Sequence, residues 1–271
     1  MSSLRDRQAA TAGIDVDGGT LVVETVGSGP ALLFLHGWTL DRRASRPQIE
    51  GLPAGHLLIA YDRRGHGRST APPDMRREVE DVARILDALG IGRATLVAMS
   101  QGTRVALAAA LRFPDRVTAL ALQGAPLPFP SMHDAASEAV PVAAMAALAA
   151  AGRLEELRAL WLAHPLMQAD ASPMRALLRE ILDGYGARDL LKPGRPLELP
   201  RDALARLRQP TLLITGEQET SYRRSAAAEL AALLPHARRI EIAGGGHLCN
   251  LSRSAAYNQA LTAFLETIDA G

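Results

Sequence analysis

Short apolar runs recur along the chain, separated by Gly- and Pro-rich turns and by stretches with helical spacing. Leu21–Thr25, Ala31–Leu35, Leu57–Tyr61, Ala94–Ala98, Val117–Leu122, Thr211–Thr215 and Arg239–Ile242 read as strands. Several are apolar throughout rather than alternating, the pattern of strands buried on both faces of a parallel sheet. The first two read as a pair joined by the turn Gly27-Ser28-Gly29-Pro30. After Pro72-Pro73, Asp74 is a helix cap, and Met75, Val79, Val82, Leu86 and Leu89 keep to one helix face that ends at Gly90. Tyr257, Leu261, Phe264, Leu265 and Ile268 mark another one-sided helix near the C-terminus. Strands interleaved with helices predict an α/β fold.

From about Leu127 to Leu207 the strand signal stops. Helical patterns cover Ala135–Ala151, Arg153–Ala163 and Ser172–Gly184, the last opened by the start signal Ser172-Pro173. The expected organisation is a core from 1–126 and 208–271, with an all-helical cap at 127–207 over the C-terminal edge of the sheet. The 271 residues suffice for one such domain. A formal net charge of +1 provides no field to draw nucleic acid or an anionic membrane. No apolar run approaches the roughly 20 residues that span a bilayer, and the N-terminus lacks a signal-peptide core. Cys249 is the only cysteine, which excludes an internal disulfide and a Cys-based metal cluster. The expectation is a cytoplasmic chain with no metal or cofactor and no nucleic-acid or membrane partner; a homodimer is left open.

The sharpest chemical signal is Ala98-Met99-Ser100-Gln101-Gly102, between an apolar strand and the helical run Gln101–Arg112. So tight a strand-to-helix turn strains its central residue and needs small neighbours two positions away on either side. It would hold the Ser100 hydroxyl clear of the sheet, at the positive end of the next helix, with the Gln101 N–H facing a developing oxyanion. Serine needs a base. Of the seven histidines, His247 in Gly244-Gly245-Gly246-His247 follows the last strand, where a Gly run can carry its imidazole back over the sheet edge. His36 and His66 sit in Gly-containing loops suited to structural hydrogen bonds. The strand Thr211–Thr215 runs into Gly216-Glu217-Gln218-Glu219, offering two acids to orient that imidazole. Glu219 is chosen because it lies further beyond the strand, with Glu217 expected to face outward. In His36-Gly37-Trp38 the Trp38 N–H is the second oxyanion donor, a type of group worth on the order of 3 kcal/mol in the transition state.

His36-Gly37-Trp38, Asp62-Arg63-Arg64-Gly65-His66-Gly67-Arg68-Ser69, Ala98-Met99-Ser100-Gln101-Gly102 and Gly246-His247 resemble four landmarks of the α/β-hydrolase superfamily, in family order and over almost the whole chain. The resemblance implies an eight-stranded, mostly parallel sheet with a helical cap between the sixth and seventh strands. It also implies that the Asp62–Ser69 loop is chiefly structural. Gly246-His247-Leu248-Cys249-Asn250-Leu251 is closest in flavour to small bacterial esterases and enol-lactonases.

The expected reaction is hydrolysis of a carboxylic ester or lactone through an acyl-enzyme, with Ser100, His247 and Glu219 catalytic and the Trp38 and Gln101 amides holding the oxyanion. Carbon–carbon hydrolysis of vinylogous diketones, thioester hydrolysis and perhydrolysis use the same triad, and non-catalytic ligand receptors share the fold. Phe129, Met132, Trp161, Met167, Met174 and Leu248 are the candidate pocket walls. As a group they point to a small or medium, mainly apolar substrate, with arginines of the insertion offering a carboxylate-binding alternative.

Overall fold

A computed structural model describes residues 9–129, 138–168, 172–195 and 197–269. Its eight strands are β1 (Ala9–Val16), β2 (Gly19–Gly27), β3 (Ala31–Leu35), β4 (Leu57–Tyr61), β5 (Ala94–Met99), β6 (Val117–Gln123), β7 (Thr211–Gly216) and β8 (Ala237–Ile242). The helices used below are α1 (Arg46–Gly51), α2 (Met75–Ala88), α3 (Gly102–Arg112), α4 (Val142–Ala150), α5 (Leu154–Leu162), α6 (Ser172–Asp183), α7 (Arg188–Leu191), α8 (Arg201–Leu204), α9 (Ser221–Leu233), α10 (Cys249–Ser252) and α11 (Ser254–Asp269).

The strands form one sheet in the order β1-β2-β4-β3-β5-β6-β7-β8. β2 runs antiparallel to both neighbours, and every pairing from β4 to β8 is parallel. The sequence reading of β2 and β3 as a joined pair is therefore corrected: β4 lies between them. Their glycine turn permits the chain reversal but does not choose the partner; β4 is apolar on both faces and fits the interior position. β1 escaped the sequence reading because it is an edge strand, exposed along most of its length and rich in Ala and Gly.

Alternation along each parallel strand feeds two cores. In β3, Leu33 and Leu35 join the layer under α2, α3 and α9, while Leu32 and Phe34 join the layer under α1 and α11. Asp74 caps α2 by accepting from the Arg76 and Arg77 N–H groups, as its sequence position predicts. A third apolar cluster sits above the C-terminal ends of the strands. It joins Met145, Leu157, Trp161, Leu178 and Ile181 of the 142–183 helices to Met99 at the end of β5 and to Leu40 and Leu248 of the strand-end loops. The helix expected from Ala135 starts at Val142, directly after Pro141; 135–137 lie outside the described residues. No helix among the described residues is long and apolar enough to cross a membrane.

Candidate active site

β5 delivers Ser100 into a turn where its φ is +50°, the left-handed region that a non-glycine residue adopts only under constraint. The constraint is visible. The Ser100 N–H donates to the Gln123 carbonyl at the end of β6 (2.8 Å), and its own carbonyl accepts from Thr103 N–H (3.0 Å) and Thr103 Oγ1 (2.6 Å). Gly102 starts α3 so close to β3 that a Cβ would stand 2.7 Å from the carbonyl oxygens of both Leu35 and His36. Gly37 meets Ser100 from the other side, where its added Cβ would be 3.4 Å from Ser100 Cβ. The His36-Gly37-Trp38 turn and the serine turn therefore pack directly together.

His247 is buried, and its Nδ1 lies 2.8 Å from Oε2 of the buried Glu219. A carboxylate accepts, so Nδ1 carries a proton, and in the neutral ring Nε2 keeps a lone pair. Burial alone would raise the Glu219 carboxyl. The imidazole's charge and hydrogen bond, the Arg223 cation and the Thr220 N–H outweigh it and hold Glu219 below the usual carboxylate range. Glu217 is exposed and accepts instead from the Gly244 N–H at 2.7 Å, pinning the turn that precedes His247. Cys249 is inert by comparison: burial and the nearby Glu219 push its thiol up to about 12.

Two residues that sequence reasoning missed tie these parts together. Gln123 is buried, and its Nε2 donates to the His247 carbonyl (2.7 Å) and to Asn250 Oδ1 (3.0 Å). Gly124, at φ +54°, lies against the imidazole; a Cβ there would be 2.6 Å from His247 Cε1 and 3.1 Å from Glu219 Oε2. Ser100 and His247 are thus both fastened to Gln123, and Gly124 next to it seats the imidazole. The only sequence signal was a glutamine closing an otherwise apolar strand.

Beneath the 36–38 turn lies a buried ionic frame. Arg63 donates its N–H to His36 Nε2 (2.9 Å), its Nη1 to the His36 carbonyl (3.0 Å) and to Gln101 Oε1 (3.2 Å), and its Nε to Glu78 (2.5 Å). His36 Nδ1 in turn faces the Gly37 carbonyl at 2.8 Å. Burial first, then the charges of His66 and Arg63, press the His36 pKa well below its ordinary value, so this imidazole is neutral with both nitrogens engaged. Neither the Trp38 nor the Gln101 backbone N–H donates to an acceptor among the described residues.

A cavity of about 470 Å³ opens on these groups. Ser100, Gln101, His247, Trp38, Trp161, Met167 and Leu248 all border it. Of the other expected wall residues, Phe129 packs instead against the core beside β6, with the Arg201 guanidinium 5.1 Å over its ring. Met174 borders a surface depression beside α1 and α11, and Met132 falls outside the described residues. The Asp62–Ser69 loop is held by the buried pairs Arg63–Glu78 and Arg64–Asp81, yet Arg64 and His66 also reach the cavity wall. With Arg104, Glu138, Asp189, Arg195 and Arg223 also present, the wall is more charged than the apolar residues of the insertion suggested.

The sequence model of the alpha/beta hydrolase fold matches residues 30–177. A pimeloyl-[acyl-carrier protein] methyl ester esterase of Xanthomonas oryzae pv. oryzae is 31% identical, covering 91% of this chain and 99% of its own. The chain belongs to the alpha/beta hydrolase family. The same family context holds a 2-(acetamidomethylene)succinate hydrolase of Mesorhizobium japonicum, 28% identical over 93% of this chain and 94% of its own. Among solved structures, the enol-lactonase of Burkholderia xenovorans superposes with a TM-score of 0.77 at 24% identity, over 94% of this chain and all of its own. That likeness is one of fold.

Proposed function

We propose that this alpha/beta hydrolase cleaves a carboxylic ester or lactone through an acyl-enzyme. Ser100 Oγ attacks the carbonyl carbon while His247 Nε2 takes its proton, and Glu219 holds the imidazole in the required tautomer and balances its charge. The Trp38 and Gln101 N–H groups receive the oxyanion. His247 then protonates the departing alkoxide and afterwards activates the water that releases the acyl group. The helices between β6 and β7 act as a cap that shapes the substrate cavity. Relatives named for hydrolysing a methyl ester and a substituted succinate support the reaction class.

The observation that carries this reading is the buried His247–Glu219 pair, seated on Gly124 beside the residue that anchors the Ser100 backbone. The test is labelling by a fluorophosphonate with peptide mapping, alongside turnover of short-acyl p-nitrophenyl esters. Label on Ser100, and loss of both label and turnover in Ser100→Ala with folding retained, are expected. Undiminished turnover in that variant would retire the mechanism.

A further inference from the structure

Of the arginines at the cavity, Arg64 and Arg223 have almost wholly buried side chains and each grips a carboxylate, Asp81 and Glu138, while Arg195 is exposed; Arg63, buried in the frame beneath the 36–38 turn, grips Glu78. Arg104 differs. It stands in the first turn of α3, four residues after Ser100. Its guanidinium is half-buried on the cavity wall and makes one hydrogen bond, from Nη2 to the Leu127 carbonyl at 2.9 Å. It has no ion-pair partner among the described residues. Glu138, which shares the cavity, is fully engaged: Arg223 takes both oxygens at 2.8 and 2.9 Å, and Thr220 Oγ1 donates to one at 2.7 Å.

A cation drawn out of water without a carboxylate in salt-bridge contact is costly, and Arg104 bears that cost. Burial, with the Arg223 charge adding to it, lowers its pKa from the ordinary guanidinium value; Tyr222 and the exposed Glu198 act the other way without outweighing it. A guanidinium stays protonated under such pressure, so the deficit is one of charge, and its remaining N–H donors present a fork suited to a carboxylate.

We infer that Arg104 anchors a carboxylate of the substrate, so that the ester or lactone taken by this site carries a negative charge a few carbons from the scissile carbonyl. This inference rests on the hydrolase reading above and adds a negative charge to the mainly apolar substrate expected from the sequence. It also moves the anion-binding arginine from the insertion to the core, on the helix that begins two residues after the nucleophile.

Methyl hydrogen glutarate and methyl hydrogen adipate, compared with their dimethyl esters, test it by methanol release. The wild-type protein should prefer the half-esters. Arg104→Gln should cut kcat/KM for the half-esters about 10- to 100-fold more than for the diesters, mostly through KM, and Arg104→Lys should recover part of the preference. Equal losses on both ester types, or no loss of preference, overturn the assignment. A binding arm needs neither catalysis nor a variant: glutarate should raise the melting temperature of the wild-type protein at a concentration at least tenfold lower than neutral glutaramide. Equal effects of the two compounds overturn the subsite. Absence of turnover and labelling with glutarate still preferred would instead overturn the hydrolase reading alone.

Discussion

Gly124→Ala isolates the contact on which the His247–Glu219 pair rests. At φ +54° an alanine is strained by about 1–2 kcal/mol. The larger effect is steric. The new Cβ would stand 2.6 Å from His247 Cε1 and 2.7 Å from Nδ1, whereas ordinary contact begins near 3.4 Å. Ring or backbone must give by about 0.8 Å, the difference between those distances. The Nδ1–Oε2 bond of 2.8 Å has only a few tenths of an ångström to spare before it leaves hydrogen-bond range. A misplacement of this size in a catalytic base costs about 10²-fold, or roughly 2.7 kcal/mol of barrier. The assay is kcat/KM on a short-acyl p-nitrophenyl ester together with the urea unfolding midpoint. Gly90→Ala is the control: its φ of +67° brings the same backbone strain, but nothing lies within 4 Å of an added Cβ. Both variants should lose stability, and only Gly124→Ala should lose activity. Wild-type kcat/KM in Gly124→Ala would refute the argument.

Other consequences follow from the same geometry. Glu219→Gln should lower kcat about 10²–10⁴-fold, while Glu217→Gln, whose amide oxygen can still accept from Gly244, should change it less than about threefold; the reverse ranking on an ester assay would reassign the acid. The depressed Glu219 pKa also fixes a pH dependence of stability. Its contribution is fully present above the unfolded value of about 4.3 and is lost as pH falls through the lower folded value. The stability gap between wild type and Glu219→Gln in urea should therefore shrink from pH 7 to pH 3, and a constant gap would contradict it. Glu78→Gln leaves the Arg63 cation buried without its partner and should destabilise by about 3–5 kcal/mol. Arg63→Met/Glu78→Leu should recover most of that in urea but not kcat, because His36 and Gln101 still lack their donor; full recovery of kcat would show that the frame is structural only.

The parallel strands were legible because burial on both faces leaves mostly apolar runs, as in Leu96–Met99 and Ala119–Leu122. β1 was not, since an exposed edge strand carries no such pattern. Strand order was also out of reach, because β4 enters between β2 and β3 through a choice made by the whole sheet. At the candidate site, the residue types with intrinsic chemistry stood out: a serine in a tight turn, a histidine after glycines, acids after a strand. Gly124 and Gln123 did not stand out. A glycine needed because an imidazole lies against it looks like any turn glycine, and Gln123 matters through partners more than 120 residues away. Arg104 was hidden for a related reason. Its meaning lies in the carboxylate it lacks, and a missing partner leaves no mark on a sequence rich in both arginine and acids.

The 36–40 loop is gripped from two directions. From the sheet side, Arg63 holds His36 and Gln101. From the helical insertion, Asp189 accepts from Trp38 Nε1 at 2.5 Å and from Tyr185 Oη at 2.8 Å, while Trp161 Nε1 donates to Thr39 Oγ1 at 2.8 Å. Thr39 itself sits at φ +64°, a conformation that persists only because its surroundings impose it. On the mechanism proposed, this loop supplies an oxyanion donor, and such a donor is effective only when its direction is fixed before charge develops. Half of that fixation comes from the insertion that also forms the cavity wall. Substrate selection and transition-state stabilisation are then mechanically coupled. An exchange of the insertion for that of another family member would alter kcat as well as KM, because it would remove the indole hydrogen bond to Asp189 along with the wall.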